Sequence, residues 1–250
     1  MRLPTAILWI VPLTAVSLLP QSGCAPKTKV LAVSQQNANL LDSLQDYPDL
    51  ESLSITCLEA LPSLPDSIGG LSKLRELKID NGNGCSMNPV LPEAIGKLRS
   101  LQTLVLVGAQ DPRGAGNDHG PQPAVRHSFP RSMSQLKSLT HLDLGRNGFS
   151  EVPQFVKDLP NPQELGLEWN VELRKLPEFL SQLRELNTLM LAHNDLDDLP
   201  DCLNQLPKLT LITLGNNCRI TQSPAAIQSL KHRFPRVNFD FEEEYDCPEK

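Results

Sequence analysis

The residues able to do chemistry are few and scattered. His141, Glu164 and His193 are the most suggestive set, because imidazole and carboxylate together suit a metal or a proton transfer. They lack the tight His-x-x-x-His or Cys-x-x-Cys spacing of a metal site, and none is expected. Asp111, Asp118, His119 and His127 sit in a Gly- and Pro-rich stretch and read as solvated loop residues. Cys202 has no base beside it that would make it a nucleophile. Asn81-Gly82-Asn83-Gly84 is a turn cluster without the lysine of a phosphate loop. G-x-S-x-G, G-x-G-x-x-G and H-E-x-x-H are absent from the sequence. No catalytic residue and no cofactor is therefore expected, and the chain reads as a binding protein rather than an enzyme.

Those residues need a scaffold, and the sequence shows one repeating unit. The pattern L-x-x-L-x-L-x-x-N runs through Leu139, Leu142, Leu144 and Asn147, and returns at Leu186, Leu189, Leu191 and Asn194. It returns again at Leu209, Ile212, Leu214 and Asn217. Pro162 replaces the first Leu in a copy continuing with Leu165, Leu167 and Asn170. Earlier copies start at Leu50, Leu74 and Leu101, and a degenerate last one starts at Phe234. From 139 onward the starts are 23, 24, 23 and 25 residues apart, a period typical of solenoids. Each interval carries a second apolar set opened by a residue-Pro step: Leu64-Pro65, Leu91-Pro92, Phe129-Pro130, Val152-Pro153, Leu176-Pro177 and Leu199-Pro200.

These motifs resemble the leucine-rich-repeat family in its 23-residue form, LPxxIxxLxxLxxLxLxxN, over about residues 50 to 240. The physics agrees. Positions 4 and 6 of each copy share one face of a strand. Stacked copies then make one curved parallel sheet, its Leu side inward and its other side concave, in an α/β solenoid of about seven or eight repeats. The Pro-opened halves return on the convex side as irregular or short helical turns. Leu58, Gly82 and Ala109 stand where the later copies have Asn. The early copies also carry insertions, the larger spanning 108–128. Residues 50–233 thus hold the repeats. A helix within 37–49, with Leu40, Leu41 and Leu44 on one face, would cap one end. Residues 234–250, with Val237, Phe239, Phe241 and an acidic tail, would cap the other.

Residues 1–23 read as an export signal: Arg2, then an apolar run from Ala6 to Leu19 that is too short to cross a bilayer. Leu19-Pro20-Gln21-Ser22-Gly23-Cys24 resembles a bacterial lipobox, with Gln21 where that pattern carries an aliphatic residue. The resemblance implies acyl chains on Cys24 and a membrane anchor. Ala25 rather than Asp follows, which implies the outer membrane in a two-membrane bacterium; the alternative is a secreted protein. Residues 24–36 would be a tether. Export permits disulfides. Repeat positions suggest Cys57–Cys85 and Cys218–Cys247 with Cys202 free; the alternative is five reduced cysteines.

Outward side chains of the regular copies would bind a protein partner: His141, Asp143, Arg146, Glu164, Glu168, Trp169, Met190 and His193. Trp169 is one of two Trp in the chain, and an exposed Trp among charged residues suits an interface hot spot. The bland alternative is that it packs on its neighbours and anchors nothing. A formal charge of -6 argues against nucleic acid. A monomer is expected. The competing roles are a structural envelope element without a specific ligand, a secreted protein acting on host or extracellular proteins, and, more weakly, a carbohydrate binder.

Overall fold

The computed structural model describes residues 28–56, 63–80, 90–108, 129–242 and 247. The described residues form one open sheet of nine parallel strands, in chain order. The strands are β1 (Val30–Val33), β2 (Ser52–Thr56), β3 (Glu76–Asp80), β4 (Thr103–Val107), β5 (His141–Asp143), β6 (Glu164–Gly166), β7 (Thr188–Met190), β8 (Leu211–Thr213) and β9 (Asn238–Asp240). β2 to β9 are the eight copies of the repeat. Position 4 pairs with position 4 from the first copy to the seventh; the last copy is shifted by two, so its position 6, Phe239, completes the row of Leu53, Leu77, Leu104, Leu142, Leu165, Leu189 and Ile212. All but Phe239 in that row are buried, and each buried Leu contributes roughly 1.5–3 kcal/mol.

The Pro-opened halves form short 3-10 turns at 66–70, 93–97, 131–135, 154–158, 178–182 and 201–205. Pro65, Pro92, Pro130, Pro153, Pro177 and Pro200 precede them, with φ preset and no donor to satisfy. In each, the central apolar N–H donates to the Pro carbonyl, as Ile68 does to Pro65 (3.1 Å). The closing Leu then donates back, as Leu71 does to Ile68 (3.1 Å). The i and i+3 residues of such a turn eclipse, which puts Ile68 and Leu71 together on the core. Adjacent turns approach closely. A Cβ on Gly96 would lie 2.4 Å from the Ser132 Cβ and carbonyl oxygen.

Both ends differ from the sequence reading. Residues 30–33 are not tether but a ninth strand, paired with β2 from Val30↔Ser52 to Val33↔Ile55. Leu31 and Val33 face inward in line with Leu53 and Ile55, so the alternation is real but only four residues long. The N-terminal cap is a 3-10 segment, Gln35–Asp46, broken at Asn37 and Ser43, rather than a regular helix starting at 37. Leu41 and Leu44 are fully buried, whereas Leu40 is only half-buried. The three-residue spacing of Leu41 and Leu44 suits a 3-10 winding better than an α-helix. Asn37 fixes its start, accepting from the Ser34 N–H (2.7 Å) and donating to the Ala32 carbonyl (3.0 Å).

At the other end the last return is helical: α1 (Cys218–Thr221) and α2 (Pro224–Arg233). Ser223 caps α2 by accepting from the Ala226 N–H (3.2 Å), and Pro224 occupies its first turn. Phe234 is buried, and the half-buried Val237, Phe239 and Phe241 pack against the core. The Cys218 and Cys247 sulfurs are bonded, with their Cα atoms 5.5 Å apart. Cys24, Cys57, Cys85 and nearly all of the 108–128 insertion lie outside the described residues. Among the described residues no helix is long and apolar enough to cross a membrane.

Candidate functional site

The outer face of the sheet, away from the core, is built by positions 3 and 5 of each strand and by the turn that follows. In β5 to β8 the strand ends at position 5, and position 9 explains why. Asn147, Asn170, Asn194 and Asn217 are buried polar side chains in an otherwise apolar interior. The Asn170 amide donates to the Leu167 carbonyl of its own copy (2.9 Å) and the Leu144 carbonyl of the copy before (3.1 Å). Its oxygen accepts from the Asn147 and Phe149 N–H groups (both 3.1 Å). Asn194 and Asn217 donate in the same way. Each Asn therefore satisfies the backbone where the chain leaves the sheet.

The residue before each Asn bears the cost of that exit. Arg146, Trp169, His193 and Asn216 all have φ between 56° and 60°, the left-handed region. Gly108 holds the same place in the third copy, at 61°. A bulky residue in that region is unusual and marks a site constrained by more than local preference. The sequence reading put these residues among outward strand positions; they stand instead on a rim of turns along the outer face. That conformation is invisible to a period-2 pattern.

The rim side chains stack. The Trp169 and His193 rings lie 3.7 Å apart and 9° from parallel. The Arg146 guanidinium lies 4.7 Å over the Trp169 ring. Both faces of the indole are thus covered by its own chain, leaving its edge for contact. A sugar ring would need an open aromatic face, so this geometry disfavours the carbohydrate reading.

Inside the rim, the expected residues stand on the outer face but are not equivalent. The His141 Nε2 lies 3.4 Å from a Glu164 oxygen, and its Nδ1 2.8 Å from the Thr140 hydroxyl. Thr213 Oγ1 donates weakly to Glu168 (3.4 Å), tying β8 to the turn after β6. Met190 is half-buried on β7. Asp143 departs most from expectation. The residue keeps some exposure, but its carboxyl is packed in by protein. Burial pushes its pKa up, the Gly145 N–H opposes this by donating to Oδ1 (2.9 Å), and the charge of Asp80 adds to the rise. At Glu76 burial also pushes upward, but hydrogen bonds from Lys78 and Ser52 outweigh it and hold the carboxyl low.

His141, Glu164 and His193 do not assemble a metal centre. Among the described residues no group of three or more His, Cys, Asp or Glu side chains is placed to hold an ion. Burial and the nearby Glu178 carboxylate push the Cys202 thiol up, the opposite of an activated nucleophile.

A leucine-rich-repeat protein of Leptospira interrogans has a similar structure, with a TM-score of 0.53 and 25% identity over 88% of this chain and 62% of that one. The chain folds as a leucine-rich-repeat solenoid. Internalin C2 of Listeria monocytogenes aligns over 84% of this chain and 80% of its own, at 20% identity and a TM-score of 0.48. In sequence, the TMV resistance protein N of Nicotiana glutinosa is 31% identical over 167 residues, 60% of this chain. The solenoid spans only 14% of that relative's length. No family model matches the solenoid.

Proposed function

We propose that this solenoid is an exported, lipid-anchored protein without catalytic activity that docks a protein partner on the outer face of its sheet, the face expected to be concave. The observation that carries the reading is the rim. Three large side chains, Arg146, Trp169 and His193, are held in left-handed backbone and stacked on one another. A preorganised aromatic and cationic edge loses little entropy on binding. Leucine-rich repeats generally mediate contacts between proteins, and the similar solved structures are of that fold. For the anchor, the support is the signal at 1–23 with Cys24 after it; a bonded Cys218–Cys247 pair suits an oxidising compartment. The monomeric state belongs to the same proposal.

Affinity capture from the host envelope with matched variants tests this. Trp169→Ala should lose a partner that the convex-side variant Gln182→Ala retains. Equal retention by both would remove the recognition face and leave a structural role. The anchor is read separately, by intact mass. Acyl chains on Cys24, lost together with membrane association in Cys24→Ala, are the expected result.

A further inference from the structure

Asp143 lies mid-sheet on β5, beside Val105 of β4 and Gly166 of β6. The glycines around it are not incidental. A Cβ at Gly166 would lie 2.7 Å from the Asp143 Oδ1, and one at Gly145 would lie 3.2 Å from it. The Asp143 carboxyl itself leans over Gly166, in the place a side chain there would fill, so it lies low in the face. Oδ1 accepts from the Gly145 N–H, while Oδ2 receives no donor among the described residues. Oδ2 is not sealed from solvent either, since the only fully enclosed, unpartnered side-chain oxygens among the described residues are those of Ser67 and Ser132. A desolvated carboxylate with one lone hydrogen bond is costly, and a cation brought to it is held strongly.

Among the described residues the surrounding charge is mostly negative. Glu76, Asp80, Glu164, Glu168 and Asp240 stand on this face or at its turns. The basic groups there are Lys78, 2.7 Å from Glu76, and Arg146, over Trp169. Such a surface favours approach of a basic partner.

We infer that the Asp143 carboxylate, recessed between Gly145 and Gly166, is the socket for a lysine or arginine side chain of a basic protein segment docking on the outer face. This rests on that face being the docking face, and it adds the partner's chemistry. The socket is specific where the rim charges are only steering.

The test titrates the full chain with a short peptide of alternating lysine and serine, and with its glutamate counterpart, at physiological ionic strength. Asp143→Asn keeps the acceptor for Gly145, so the turn should survive. It should weaken lysine-peptide binding on the order of tenfold or more, as loss of a buried charge pair does. Glu164→Gln removes the same charge from the rim and should weaken binding less than about threefold. Gly166→Ala, which fills the space beside Oδ1, should match Asp143→Asn, and the Gly145 amide resonance should shift when peptide binds the wild type. Equal losses from Asp143→Asn and Glu164→Gln would overturn the socket by reducing binding to net charge. So would a lysine peptide that does not bind, or a glutamate peptide that binds as well. If Trp169→Ala still loses the envelope partner in those cases, the docking face stands and only the socket falls. If it does not, both fall.

Discussion

The two halves of the sheet solve one problem differently. β2, β3 and β4 are five residues long, and their copies lack Asn at position 9. β5 to β8 are three residues long, and each copy carries that Asn, buried. In the first half the ladder itself continues to position 7. In the second, the N–H groups of positions 6 and 8 still donate to the next copy, as Leu144 does to Gly166 and Arg146 to Glu168 (both 2.9 Å), while the Asn amide takes the position-6 carbonyls of two copies at a time. The difference shows how buried polar side chains shape a surface. Position 8 is left-handed with or without that Asn, as Gly108 shows; in the second half it carries Arg146, Trp169 and His193, and the buried Asn row satisfies the carbonyls beneath them.

Breaking the row should have the largest effect. Asn170→Ala strips two carbonyls and two N–H groups of their partner in a buried setting, each worth about 1–3 kcal/mol when left unmet, with partial relief from water. A loss of roughly 3 kcal/mol is expected in urea unfolding, with hydrogen exchange rising in the turns after β5 and β6 and little changed in β2 and β3. Uniform loss of protection would show that the halves are not separable. Opening the Cys218–Cys247 bridge comes next. Its ends are 29 residues apart, and loop-closure entropy sets an upper figure of about 3.6 kcal/mol, of which real bridges often deliver less. Solenoid contacts are between neighbours, so protection of β9 and α2 should fall in Cys218→Ser, with the early half unaffected.

The period, the inward Leu rows and the Asn positions were legible in the sequence because each repeats many times. β1 was not, since four residues between polar neighbours carry too little alternation. The cap's 3-10 winding was hidden behind an apolar spacing that suits an α-helix almost as well. The left-handed rim went unseen because Arg and Trp are poor markers of positive φ; Gly108, His193 and Asn216 at the same repeat position were the available hints. Asp143 read as exposed because its burial depends on Gly145 and on Gly166 of the neighbouring copy, a relation across strands.

Asp143 sharpens the comparison through pH. Its pKa is raised in the fold, so its ionised form penalises stability above that folded value, and the penalty fades as pH falls below it. Asp143→Asn should therefore raise the melting temperature at neutral pH, with the gain shrinking on acidification. A gain that grows at low pH would contradict the assignment. The charge of Asp80 acts on the same carboxyl, so Asp80 should be left intact in that comparison. The smallest effect on stability belongs to Trp169→Ala. Loss of stacking should cost no more than about 1.5 kcal/mol, and thermal melts should place it well below Asn170→Ala.

The most direct measurement is photo-crosslinking in the host, from a reactive residue placed at Met190 on the outer face and, in parallel, at Lys157 on the opposite side. One discrete protein adduct from position 190, absent from position 157 and lost when Trp169→Ala is added, is the predicted result. Adducts of the same pattern from both positions, or none from position 190, would contradict a recognition face on the second half of the sheet.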